Sequence, residues 1–414
     1  MLNQFKNNNT LKYIVALIII LANNLFSQEI NDEYNLELNK ISNQVWSQYN
    51  NNGQDLSQVQ FNYNVSYDSE KTDFKLNFFT LQNKIFIGES FYKVELFNNI
   101  YLKTGKYYRD FSIYLNDDLS SGSLLISRNA EPMPKIGLLS SYEINQNLGF
   151  SFGISHALFV RNAIYTAAPM LHEKFIYLNY SKNQNEYGVG FVHNAVWGGA
   201  TEDYGYFPNT FKDFLKIFIS ADGPLLEGEP HANALGNHLG IWDFHYKKTV
   251  DSREIKIYYQ HFFEDTSGLR FANKSDGLWG LELYNYINNT KILFEYLNTT
   301  NQNRNPPYVQ DYYYHHYQYP AGWSYKGYTI GNPFINSGNY SNTNPSQVLH
   351  FGIQNYKNDK YKLKLLLARR INIADSIKYK LLVGKTIKSL EWNFFIYGGE
   401  GGKRNTGIKI NYML

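Results

Sequence analysis

The sequence predicts an all-β chain closed into one antiparallel barrel. Three observations carry the prediction. Apolar–polar alternations of strand length recur from residue 59 to the C-terminus. Polar turn clusters separate them, leaving some connections short and others long. The chain also has 37 tyrosines and 28 phenylalanines, residues that favour pleated sheet, and abundant asparagine, which favours turns. Alternating segments of about ten residues joined by unequal connections are the signature of an outer-membrane β-barrel. There the apolar residues face lipid and the polar ones face the lumen. Closure satisfies every backbone donor and acceptor, as a lipid surround requires. Roughly eighteen strands are expected, with loose boundaries. A propeller or solenoid would repeat at a fixed long period, and no such period is visible.

Taken in order, the chain begins with a targeting pattern. Lys6 and Lys12 precede the apolar run Tyr-Ile-Val-Ala-Leu-Ile-Ile-Ile-Leu-Ala at 13–22. That run suits a secretory signal and is short for a membrane helix. Ser27 offers a small residue for cleavage, so 1–27 is read as a signal peptide directing export to the outer membrane. A short polar N-terminal segment, 28–56, follows. In it Leu38, Ile41, Val45 and Tyr49 share one helical face, a candidate short helix. The barrel is expected over 57–414. Val59, Phe61, Tyr63, Val65 and Tyr67 open it by alternating with Gln60, Asn62, Asn64 and Ser66. The same period of two sets Ile255, Ile257 and Tyr259 against Lys256, Tyr258 and Gln260. It sets Phe294 against Glu295, and Leu363, Leu365 and Leu367 against Lys362 and Lys364. Pairs such as Asn98–Asn99 mark turns, while 162–171 and 198–210 are long connections.

One stretch, 301–347, keeps no period. Structureless connections this long are functional or disordered, and disordered segments are poor in aromatics. This one is saturated with them, so an ordered, extracellular, functional loop is expected. Tyr and Trp have a flat apolar face and a polar tip, which suits the C–H face and hydroxyl rim of a sugar. The candidate polysaccharide-binding residues are Arg304, Tyr308, Tyr312, Tyr313 and Tyr314, followed by His315, His316, Tyr317, Tyr319, Trp323 and Tyr325. Packing of the same rings into the loop itself is the equal alternative for any single one.

Other chemistries find little support. A net charge of +3 gives no reason to expect nucleic acid. The absence of cysteine excludes disulfides and thiolate metal sites. No His-Glu-x-x-His pattern occurs. His315 and His316 are adjacent and would point apart on an extended chain, so no metal or other cofactor is expected. Glu227 and Glu229 could pose as a glycosidase pair, but carboxylates in a Gly/Pro-rich turn are more often solvated.

Several segments together resemble the capsule-assembly Wzi family. They are Ser-Gly-Ser-Leu-Leu-Ile-Ser-Arg-Asn-Ala-Glu-Pro-Met-Pro at 121–134, Leu-His-Glu-Lys-Phe-Ile-Tyr-Leu at 171–178 and Phe-Val-His-Asn-Ala-Val-Trp-Gly-Gly at 191–199. Asn-Ala-Leu-Gly-Asn-His-Leu-Gly-Ile-Trp-Asp-Phe at 233–244 is the most specific, and 259–265 and 322–333 complete the series. The resemblance implies an eighteen-stranded outer-membrane barrel. It also implies a lectin-like, non-enzymatic role in binding capsular or other surface polysaccharide and retaining it on the cell. The expected partners are that polysaccharide and outer-membrane lipid. An outer-membrane porin or uptake channel for oligosaccharides is the alternative.

Overall fold

The computed structural model describes residues 31–40, 50–54, 59–81, 84–224, 233–303, 310–338, 344–357, 360–399 and 404–413. The signal segment 1–27, most of the helical face read at 28–56, Glu227, Glu229, Arg304 and Tyr308 lie outside these residues.

The described chain is an 18-stranded antiparallel barrel. Its first half comprises β1 (Asn31–Lys40), β2 (Val59–Asp68), β3 (Thr72–Leu81), β4 (Lys84–Ile87, continued by Ser90–Phe97), β5 (Ile100–Tyr107), β6 (Met133–Asn145), β7 (Leu148–Leu158), β8 (Met170–Lys182) and β9 (Asn185–Trp197). The second comprises β10 (Asn237–Val250), β11 (Arg253–Phe263), β12 (Gly277–Tyr284), β13 (Thr290–Asn298), β14 (Gln347–Lys357), β15 (Tyr361–Arg370), β16 (Lys378–Ile387), β17 (Leu390–Gly398) and β18 (Arg404–Met413). Each strand pairs with the next, and β1 closes the ring. It pairs with β2 through Leu36↔Phe61 and with β18 through Leu36↔Ile410. No edge is left to pair with another chain.

β1 is a departure from expectation. Asn31–Lys40 lies in the stretch read as a polar segment with a helical face, yet it is a wall strand. Alternation of Tyr34, Leu36 and Leu38 with Asn35 and Glu37 competes with the helical spacing. Pairing on both sides decides in favour of the strand.

The wall follows the period of two. Ile257 is exposed on the outside, while Tyr258 and Gln260 are buried inside; Phe294 is exposed and Glu295 buried. At one end the strands turn tightly. Asn98 and Asn99 both take positive φ, 45° and 62°, the hairpin geometry that asparagine tolerates. At the other end the connections are long. Two of them, 108–132 and the described residues of 299–346, pack into the lumen instead of lying over the rim.

The lumen side of the wall holds the first segment by buried polar contacts. Asp243 on β10 accepts from the hydroxyls of Ser112, Tyr114 and, at 2.6 Å, Tyr177. Glu295 on β13 accepts from Ser120 Oγ and Ser121 N–H, each at 2.6 Å. Gln260 Oε1 takes the Leu124 N–H at 3.0 Å, and His350 Nε2 lies 2.6 Å from the Leu119 carbonyl. Polar groups inside a barrel are costly unless paired, and here the pairing fixes the segment's path. Leu119, Leu124, Leu125 and Phe111 then form one apolar core with the second segment's Tyr314, Trp323 and Phe334.

The long connection between β9 and β10 contains a helix, α1 (Phe211–Ile219), that was not expected. Thr210 caps it by accepting the Asp213 N–H, and the Asp213 carboxylate accepts from the Thr210 N–H in return. This reciprocal capping box marks a helix start.

Candidate functional site

The aromatic stretch is a folded platform. Tyr313 takes a φ of 50°, which turns the chain so that Tyr313 and Tyr314 both point inward. The Tyr313 ring stacks on Phe262 at 4.3 Å, and its hydroxyl donates to Asp276 at 2.7 Å. The Tyr314 hydroxyl donates to the Leu124 carbonyl and accepts the Asn332 N–H. Trp323 donates through Nε1 to the Leu125 carbonyl at 2.7 Å. Its backbone N–H meets the Tyr314 carbonyl at 3.0 Å, so the run returns on itself. Gly322 permits the return. Its φ is 57°, and a Cβ there would stand 2.1 Å from the Tyr314 carbonyl oxygen.

The candidate residues therefore divide. Tyr313, Tyr314, Tyr319, Trp323 and Tyr325 are buried, as is His315. Tyr325 packs edge-on against Phe159 at 5.8 Å. A ring with no free face cannot stack on a sugar, so these residues build the platform. The packing reading, not the binding one, describes them. Tyr312, His316 and Tyr317 keep some exposure. His316 stacks on Tyr317 at 4.8 Å and receives the Gln318 and Tyr319 N–H groups at Nδ1. Enclosure pushes the His316 pKa down to about 3, so the imidazole is a neutral acceptor at physiological pH.

Tyr317, Gln318 and Tyr319 form one lip of a cleft at the long-connection end of the barrel. The facing lip holds Trp197, Phe207 and Asn233. Tyr319 lies 4.8 Å from Phe207, ring to ring. The Trp197 indole N–H is buried, without a hydrogen-bond partner among the described residues, and its ring packs against Phe214 at 5.7 Å. The cleft volume is about 50 Å³, room for about one or two waters. Such a cleft offers a lip for stacking, not an enclosed pocket. Composition alone could not single out Trp197, Phe207 and Asn233, because they sit on another connection. The Trp-Gly-Gly end of β9 is the only local sign.

Acidic groups anchor the start of the platform. The Glu264 carboxyl accepts the Tyr312 N–H at 3.2 Å. Burial, with Asp311 nearby, raises its pKa well above the carboxylate range. Burial pushes Asp311 up to about 8, helped by Asp265 and Asp276. Among the described residues no group of three or more His, Asp or Glu side chains is arranged to hold a metal.

A second cavity, of about 320 Å³, opens below the first lumen segment toward the tight turns. Its lining includes Tyr114, Tyr177, Lys247 and Lys256.

The model of one protein family, described as capsule assembly protein Wzi, matches residues 119–340. That range runs from the first lumen segment through the aromatic platform. No curated protein sequence matches the chain. Among solved structures, two mutants of the Rh. blastica porin align with TM-scores of 0.40 and 0.41, at 8% and 9% identity. Each alignment covers 93% of this chain and 99% of the porin. Likeness at that level carries no argument, and the barrel rests on its own strand pairing.

Proposed function

The chain belongs to the capsule assembly protein Wzi family, whose model spans residues 119–340 of its 414, and from that premise we propose a non-catalytic, lectin-like barrel that holds surface polysaccharide at the cell surface. Membership implies capsule assembly and, with the barrel, an outer-membrane location. The long-connection end faces outward by the rule that periplasmic turns are short. Polysaccharide docks at the cleft between Tyr317–Tyr319 and Trp197, Phe207 and Asn233, stacking an apolar face on Tyr317, the partly exposed ring of the cleft. Its hydroxyls bond to Gln318 and His316. Arg304 and Tyr308, which lie outside the described residues, remain part of the proposed binding set.

The observation that carries this reading is the filling of the lumen. A porin or uptake channel needs a continuous aqueous path, whereas both lumen segments pack into one buried core with the wall. Filled in this way among the described residues, the barrel offers an outward platform.

Deletion in a capsulated strain tests the proposal. Capsule should be made in normal amount but shed into the medium. Cell-bound capsule unchanged after deletion would contradict it.

A further inference from the structure

Helix α1 lies on the outside of the barrel, and its placement has its own chemistry. On β8, Glu173 and Tyr177 reach lumen partners, Lys135 and Ser112. The alternate residues His172, Lys174, Ile176 and Leu178 therefore face outward. On β7 the Ser155 hydroxyl reaches Glu173, so His156 faces outward. On β10 Asp243 faces the lumen, so His238 faces outward, beside Ala195 and one step from His193 on β9.

The outer wall thus changes character along its height. Ile176 and Leu178 are exposed and apolar, as a lipid-facing wall requires. Toward the long-connection end the same face becomes polar, with His156, His172, Lys174, His193 and His238. Bare, these groups would meet the upper membrane. Helix α1 covers them. Phe214 packs on His156 at 5.1 Å and on His172 at 5.4 Å, and Phe218 packs on His172 at 5.6 Å. Ile217 is buried with Ala195 and Trp197. Lys174 donates to the Phe218 carbonyl, a cation set at the helix C-terminus. Ser220 Oγ lies 3.1 Å from His193 Nε2.

Beside the face packed on the wall runs a second apolar stripe, bordered by Lys212 and Lys216. Phe211, Leu215 and Ile219 are 75%, 49% and 71% exposed, and their spacing of four puts them on one stripe. Strands β8, β9 and β10 have 13, 13 and 14 residues, against the roughly 9–11 that cross a bilayer. The stripe therefore sits above the strands' apolar belt and continues it.

We infer that α1 is a membrane-embedded helix of the outer leaflet, laid over a polar histidine–lysine patch so that Phe211, Leu215 and Ile219 meet lipid acyl chains in its place. The occupant of the stripe is lipid, because the stripe continues the lipid-facing wall. This holds whatever the mouth of the barrel binds.

The chain has no cysteine, so single cysteines report without background. Leu215→Cys and Ile219→Cys are each labelled with a nitroxide in the full barrel, reconstituted in phospholipid vesicles and checked for heat-modifiable migration. Ile176→Cys is the lipid reference, and Tyr206→Cys, in an exposed turn, is the water reference. Collision of the label with oxygen, which partitions into lipid, is compared with collision with a water-soluble nickel chelate. Both helix positions should match Ile176, with oxygen favoured. A pattern matching Tyr206 would overturn the inference. So would low access to both reagents, which would mean a protein partner or second copy covers the stripe.

Discussion

Trp323 shows how one residue can be read two ways from sequence and only one way in the fold. An aromatic in a long polar loop suggests a stacking face for a sugar. Its ring is buried and its Nε1 is held by the Leu125 carbonyl across the two lumen segments. Trp323→Ala should cost the docked platform about 3–5 kcal/mol, since it opens a cavity and orphans a buried carbonyl. Loss of hydrogen-exchange protection at the Trp323 and Gly338 amides, with heat-modifiable migration retained, is the expected outcome. Asp311 makes a second residue-scale prediction. Its pKa is raised to about 8 by burial and neighbouring acids, against about 3.9 in an unfolded chain. The docked state thus binds the extra proton. Its contribution to docking is complete below the unfolded value and is lost as pH rises through about 8. Protection factors at Tyr312 and His315 should fall between about pH 4 and 8 and level off above that. Asp311→Asn should remove part of that fall, the buried Glu264 carboxyl accounting for the rest.

The elements were unequally legible, for physical reasons. Strands such as β11 and β13 show their alternation openly, because one face meets lipid and the other a polar lumen. Phe294 is at mid-strand on the lipid side, so Phe294→Arg should destabilise the bilayer-inserted barrel by about 2–4 kcal/mol. Ser151→Arg, lining the lower cavity, should cost much less in the same urea titration. β1 was hidden because Leu38 also fits a helical face with Ile41, Val45 and Tyr49, and only its two neighbours resolve the choice. Helix α1 was hidden for the opposite reason. The run Phe211, Phe214, Leu215 and Phe218 has helical spacing, but the helix has only nine residues and follows directly on the connection read at 198–210, so its period does not stand out.

At the scale of the whole molecule, the lumen segments could not be foreseen from local pattern. Residues 108–132 have no period, and their path is set by Asp243, Glu295, Gln260 and His350, side chains from four different strands. The site is likewise an assembly property. Tyr317 and Tyr319 were visible as aromatic candidates, while Trp197, Phe207 and Asn233 join them only when two long connections meet. The platform is rigid because its inner rings are buried, which leaves its outer rings to bind.

Binding of the cell's own surface polysaccharide to the refolded barrel tests this division of labour most directly. Wild type is compared with a variant carrying Tyr317→Ala and Gln318→Ala, both partly exposed on one lip of the cleft. Loss of stacking should weaken binding by about 1–2 kcal/mol or more, with the barrel still heat-modifiable. Equal binding by the two proteins would contradict the account and remove the cleft from the site.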